Sequence, residues 1–109
     1  MKIIYLAHKF NLEQWRVQEI KSVINKLYQL NKNITIINTP ILFGWSNINE
    51  HQAMRMALKL LSASDELWIF LFHPSDLQSS KGLYREIRLA SRLQKPIKLL
   101  TPNNLIPPD

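Results

Sequence analysis

Leu67-Trp68-Ile69-Phe70-Leu71-Phe72, followed within a few residues by Ser80-Lys81-Gly82-Leu83-Tyr84-Arg85-Glu86, decides how this chain folds. The first stretch is an unbroken apolar run, as expected of a strand buried on both faces of a parallel sheet. The second opens a helix. Strand-to-helix turns of this kind are where parallel sheets bind ligands, because helix N-termini present free N–H groups and the positive end of a dipole. Gly82, one of only two glycines, lies four residues before Glu86. Helical side chains lean toward the helix N-terminus, so a residue at that position normally covers the path of a carboxylate to the turn. A glycine leaves the path open. A helix cap beside a surface glutamate explains the same spacing, and spacing alone favours it.

Working outward, the same alternation repeats. Lys2 to Ala7 reads as a first strand. Asn11 then caps a helix, with Gln14 completing a partial capping box, and its apolar positions are Leu12, Trp15, Ile20, Val23, Ile24, Leu27 and Leu30. Ile34 to Ile37 is a second strand, closed by Pro40. A long connection, Pro40 to Asn49, carries Phe43, Gly44 and Trp45. A helix over about Glu50 to Ser62 buries Ala53, Met54, Ala57, Leu58 and Leu61, and leads to the strand Leu67 to Phe72. The helix from Lys81 to about Gln94 turns Leu83, Ile87, Ala90 and Leu93 to the sheet, Lys95-Pro96 stops it, and Ile97 to Leu100 is a fourth strand. The prolines of the tail suit extended chain. Helical crossovers are right-handed and give a parallel sheet covered on both faces. The expected fold is α/β: a three-layer Rossmann-like domain over residues 1–109, with a four-stranded parallel sheet of order 2-1-3-4.

Composition sets bounds. With 109 residues, 46% of them hydrophobic, the chain can build one core and has no room for a second domain. It has no cysteine, which excludes disulfides and thiolate metal sites. The opening apolar run is too short for a signal peptide or a membrane span, so a cytoplasmic protein without membrane contact is expected. A net charge of +6 favours anionic partners. No Gly-x-Gly-x-x-Gly or Walker loop follows the first strand, so no dinucleotide or P-loop site is expected, and no cofactor.

Three stretches, in order, resemble the nucleoside 2-deoxyribosyltransferase-like family. Ile4-Tyr5-Leu6-Ala7-His8-Lys9-Phe10 is similar to its Tyr-Leu-Ala-x-Pro-Phe opening. Ser64-Asp65-Glu66-Leu67-Trp68-Ile69 is similar to its Asp-led third strand. Ser80-x-Gly82-x-x-x-Glu86, with Ala90 and Lys95-Pro96-Ile97, is similar to its Gly-x-x-x-Glu helix and Gly-Lys-Pro-Val ending. The chain departs from the transferases at Ser80, where they carry aspartate, and at His8-Lys9 in the first loop. The resemblance implies a nucleoside- or nucleotide-binding protein that cleaves or transfers an N-glycosidic bond, with Glu86 as nucleophile forming a covalent glycosyl intermediate. It also covers non-catalytic nucleotide sensors or sequestering proteins on the same scaffold. It implies a homo-oligomer whose subunits complete each other's sites.

The ligand-binding candidates line the carboxyl ends of the strands: His8, Lys9, Phe10, Phe43, Trp45, His73, Ser80, Lys81 and Gly82. Ser80 and the N–H groups near Lys81 and Gly82 suit a phosphate or a sugar hydroxyl. Phe43 and Trp45 either stack on a base or cover the edge of the core, and their long connection suggests a lid or an oligomer contact. Asp76, His8 and His73 are the candidates for a second acid, although loop histidines more often bond to backbone. His8 and His73 make a poor metal site, and no metal is expected. Asp65 reads as a turn or cap, and Trp68 and Trp15 as packing. Finally, Lys81, Arg85, Arg88, Arg92 and Lys95 form a basic stripe. A solvated face is its usual meaning; the third reading of the chain is a basic adaptor that docks nucleic acid or an acidic protein there. The sequence shows no recognition motif and no exposed aromatics interleaved with the stripe.

Overall fold

The structure, a computed structural model, describes residues 1–9, 14–39 and 49–106, with backbone alone for 14–17 and 50. The elements run β1 (Lys2–His8), α1 (Gln14–Leu30), β2 (Ile34–Ile37), α2 (Glu50–Ala63), β3 (Glu66–Phe70), α3 (Asp76–Ser79), α4 (Lys81–Arg92) and β4 (Ile97–Leu100). The four strands are parallel and ordered β2-β1-β3-β4, as the alternation requires. The chain steps from β1 to β2 on one side and then crosses to β3 on the other. That reversal puts the switch point between β1 and β3, where ligand crevices form in such sheets.

Right-handed crossovers in opposite directions send their helices to opposite faces. α1 covers one face, where Ile4, Leu6, Trp68, Phe70 and Leu100 pack on Ile20, Val23 and Leu27. α2 and α4 cover the other, where Tyr5, Ala7, Leu67, Ile69 and Leu71 pack on Ala57, Leu61, Leu83 and Ala90. Alternate residues of β1 therefore belong to different cores. Trp68 lies in the core as its strand position predicts.

Several expectations shift. β3 begins at Glu66 and ends at Phe70, although Leu71 N–H still donates to Leu100 O at 2.9 Å. A one-turn helix, α3, occupies what reads in sequence as loop. α4 ends at Arg92 because Gln94 turns to a positive φ of 57°. Leu93 is consequently exposed instead of packed, as is Leu30 at the end of α1. The tail is not extended throughout: Thr101 and Asn104 form an antiparallel bridge. α2 carries a full capping box, Asn49 with Gln52, which the sequence reading passed over. Asp65 is tied to the start of β1, its carboxylate accepting from Ile3 N–H at 2.7 Å. Among the described residues no helix is long and apolar enough to cross a membrane.

Candidate active site at the switch point

Glu86 is the centre of the site. It lies in the second turn of α4, on the side of the helix that carries Leu83 and Ala90, and is only 8% exposed. The reading of Glu86 as a surface glutamate is therefore wrong, while the cap is real: Ser80 Oγ accepts from Leu83 N–H at 3.2 Å. Because α4 packs on the face of β1 that carries Tyr5, the carboxylate meets the Tyr5 hydroxyl, which hydrogen-bonds to it. The same hydroxyl is 3.2 Å from Thr39 Oγ1, just beyond β2. Thr39, Tyr5 and Glu86 thus form a hydrogen-bonded chain from the end of β2 to the first turns of α4.

The electrostatics follow from burial. Desolvation raises the Glu86 carboxyl to about 7, and the hydrogen bond from Tyr5 offsets only part of that rise. Burial, and then the nearby Glu86 charge, push the Tyr5 phenol above its ordinary value, so it stays protonated and can donate. One carboxylate oxygen, Glu86 Oε2, is buried and has no hydrogen-bond partner among the described residues. Orphaned buried carboxylate oxygens are costly and rare, and they are concentrated where function needs them.

Gly82 sits at the entrance. A Cβ there would stand 3.6 Å from Met54 Cε, 3.8 Å from Ser80 Oγ and 4.0 Å from Glu86 Oε1. Its backbone has no positive φ, so conformation does not demand glycine. A methyl group fits, but anything longer lies across the carboxylate. Met54 of α2 is the nearest side chain to that position, and Glu86 Oε2 itself is buried.

The other candidates divide. His8 continues the alternation of Ile4 and Leu6, and its ring meets Phe72 edge-on at 5.7 Å, on the α1 side. The structure does not bring it to Tyr5 and Glu86. Its Nδ1 bonds to Lys9 O at 3.0 Å. Lys9 Nζ donates to Ser79 Oγ at 3.0 Å, bridging the end of β1 to the residue before Ser80. His73 and Lys81 are exposed. Asp76 is buried, and its carboxylate accepts from Phe72 and His73 N–H at 2.9 and 3.2 Å, which locks the turn after β3. Phe10, Phe43 and Trp45, and the connection that was read as a lid, lie outside the described residues, as does the side chain of Trp15. Among the described residues no group of three or more His, Asp or Glu is arranged to hold a metal. A shallow concavity on α2, lined by Gln52, Arg55, Met56 and Lys59, contains none of the site residues.

Tyr5 and Thr39 are the residues that sequence reasoning missed. The available signal was a hydroxyl in an otherwise apolar strand, since a buried tyrosine normally finds a polar partner.

Together these features define an α/β protein with a desolvated carboxylate at the switch point of a parallel sheet. No protein-family model and no curated protein sequence matches the chain. Several solved structures share its fold, the following three among them. A conserved protein from Enterococcus faecalis V583 is 23% identical, with a TM-score of 0.70 over 92% of this chain and 63% of that one. A 2-desoxiribosyltransferase from Leishmania mexicana is 14% identical, with a TM-score of 0.71 over 93% of this chain and 65% of that one. The 2-deoxyribosyltransferase of the psychrotolerant bacterium Bacillus psychrosaccharolyticus is 21% identical, with a TM-score of 0.61 over 92% and 72%. The chain spans less than two thirds of the length of the first two.

Proposed function

We propose that the protein binds a nucleoside or nucleotide at the β1–β3 switch point and cleaves or transfers its N-glycosidic bond, with Glu86 as nucleophile. One observation carries this reading: a buried carboxylate, one oxygen of which has no hydrogen-bond partner among the described residues, beside a glycine in the first turn of a helix. Two of the proteins that share the fold are 2-deoxyribosyltransferases, and this supports the choice of substrate class.

In this mechanism the ionised Glu86 oxygen attacks the anomeric carbon. The carbon–nitrogen bond breaks, and the base leaves with the bonding electrons and takes up a proton. Water or a second base then attacks the same carbon and frees the carboxylate. The Tyr5 hydroxyl, itself oriented by Thr39, holds the carboxylate in position. A low-dielectric setting favours a carboxylate opposite the positive charge that develops on the sugar. Ser80, Lys9, Lys81 and the first N–H groups of α4 suit the oxygens of a phosphate or sugar.

A second reading, a nucleotide sensor or sequestering protein on this scaffold, is favoured by one finding. Asp76 is committed to the turn and His8 to the α1 side, so neither supplies the leaving base with its proton. Incubation with deoxynucleosides and their monophosphates separates the two readings. Release of free base by the wild type but not by Glu86→Gln, with a glycosyl adduct on Glu86 trapped by a slowly hydrolysed analogue, supports the enzyme. Gly82→Leu, which closes the path, should lower that release by about a hundredfold. Ligand binding that survives Glu86→Gln, with no base released by the wild type, supports the sensor. Base release unchanged in Glu86→Gln rejects the mechanism.

A further inference from the structure

The outer side of α4 carries a row of cations of which the proposed Glu86 site uses only the first, Lys81. Lys81, Arg85, Arg88 and Arg92 recur at steps of four, three and four residues and are all exposed. They form one straight row, on the opposite side of the helix from Glu86. Lys95 is not part of it, because its ammonium donates to Ser64 O. Among the described residues none of the four has an acidic partner, and the only acid in α4 is the buried Glu86. The row holds four of the chain's 14 lysines and arginines.

Two details set this row apart from a solvated face. First, its polarity opposes the helix: the first turn holds no acid, and Lys81 and Arg85 stand near the positive end of the dipole, where cations are disfavoured. Second, Tyr84 flanks the row and is 59% exposed, with the Arg88 guanidinium 5.7 Å from its ring centroid. The stripe therefore does carry an exposed aromatic, contrary to the sequence reading.

We infer that this face of α4 binds single-stranded nucleic acid, with the cationic row along the phosphates and Tyr84 stacking on a base. Neighbours at three- and four-residue steps lie roughly 5–6 Å apart, a separation similar to that of consecutive phosphates on an extended strand. Three of the four cations are arginines, whose planar fork suits phosphate oxygens and whose face stacks on bases. An acidic peptide would match the charge but gives no role to an exposed ring held beside a guanidinium. The surface is independent of what Glu86 does.

The test is fluorescence anisotropy of the full chain with a labelled oligothymidylate, over a series of salt concentrations. Binding is expected to weaken with salt, with a log–log slope of about −2 to −3, as three to four single-strand phosphate contacts require. Arg85→Glu/Arg88→Glu should weaken binding more than about tenfold and flatten the slope, and Arg92→Glu should do so less. Tyr84→Ala should weaken binding about fivefold or more with the slope unchanged. Circular dichroism of each variant confirms that it is folded. Absence of binding at low salt overturns the inference. So does unaltered binding by the double variant, or by Tyr84→Ala. Displacement of the oligonucleotide by polyglutamate at equal charge concentration, with Tyr84→Ala behaving as wild type, would identify an acidic protein partner instead.

Discussion

Two glutamates are buried at opposite ends of the sheet, and their surroundings could hardly differ more. Glu66 lies at the amino end of β3 and is 4% exposed. Lys2 and Trp68 Nε1 donate to it at 2.8 and 3.0 Å, and Lys98 Nζ is 3.2 Å away. Burial pushes this carboxyl upward, but the hydrogen bonds from Lys2, Trp68 and Lys98 outweigh it and bring it down to about 2. Glu86, at the carboxyl end, has one tyrosine hydroxyl and, among the described residues, an orphaned oxygen, and burial raises it to about 7. The same residue type is a tightly bonded tie at one end and a largely uncompensated carboxyl at the other. Three donors surround the first, and one hydroxyl meets the second.

The comparison breaks most sharply on activity. Glu86→Gln should abolish base release, by more than about a thousandfold, whereas a Glu66 variant should retain full activity per folded molecule. Initial rates normalised to the folded fraction measure both. On stability the order reverses. Glu66→Ala strands Lys98 and the Trp68 N–H, at a cost of roughly 3 kcal/mol. A scanning calorimeter should record a melting temperature lower by more than about 10 °C. Glu86→Gln should instead raise the melting temperature at pH 8, because it removes an uncompensated buried charge.

pH sharpens the same contrast. Glu86 holds its proton more tightly folded than unfolded, so its contribution to stability falls as pH rises from 4.5 through about 7, by on the order of 3 kcal/mol. Glu66 holds its proton less tightly when folded. Its contribution is present above 4.5 and is lost as pH falls toward 2, by on the order of 2–3 kcal/mol. Urea midpoints across pH should therefore show two arms. Glu86→Gln should flatten the neutral arm only, and Glu66→Gln the acid arm only. If Glu86 is the nucleophile, as proposed, base release should rise with pH through about 7 as it ionises. The smallest effect is expected at Tyr5. Tyr5→Phe removes the donor, which should move that rise to higher pH and lower base release about tenfold.

The strand order and the cap of α4 were legible because they rest on local signals: apolar runs and Ser80. Gly82 and Glu86 were legible as a spacing. Burial of Glu86 was not, since a carboxylate on a helix with Arg85 and Arg88 beside it reads as surface. The separation of His8 from Glu86 was legible in principle. The direction of each crossover fixes which helix covers which face, and strand alternation then assigns Tyr5 to α4 and His8 to α1. Glu66 escaped notice because two of its three partners are distant in sequence, with Lys2 64 residues away. No periodicity reports a contact of that range.

Such distance has a kinetic consequence. Glu66 gathers ammonium groups from β1 and β4 onto the strand between them, so its full set of contacts exists only when both neighbouring strands have docked. Contacts this non-local carry their loop-closure cost before they return any stabilisation. They should be largely absent from the folding transition state. In a chevron plot, Glu66→Ala should then raise the unfolding rate by a similar factor at every denaturant concentration while leaving the refolding limb nearly where it was. The carboxylate would act as a latch, closing last and governing how long the native sheet persists.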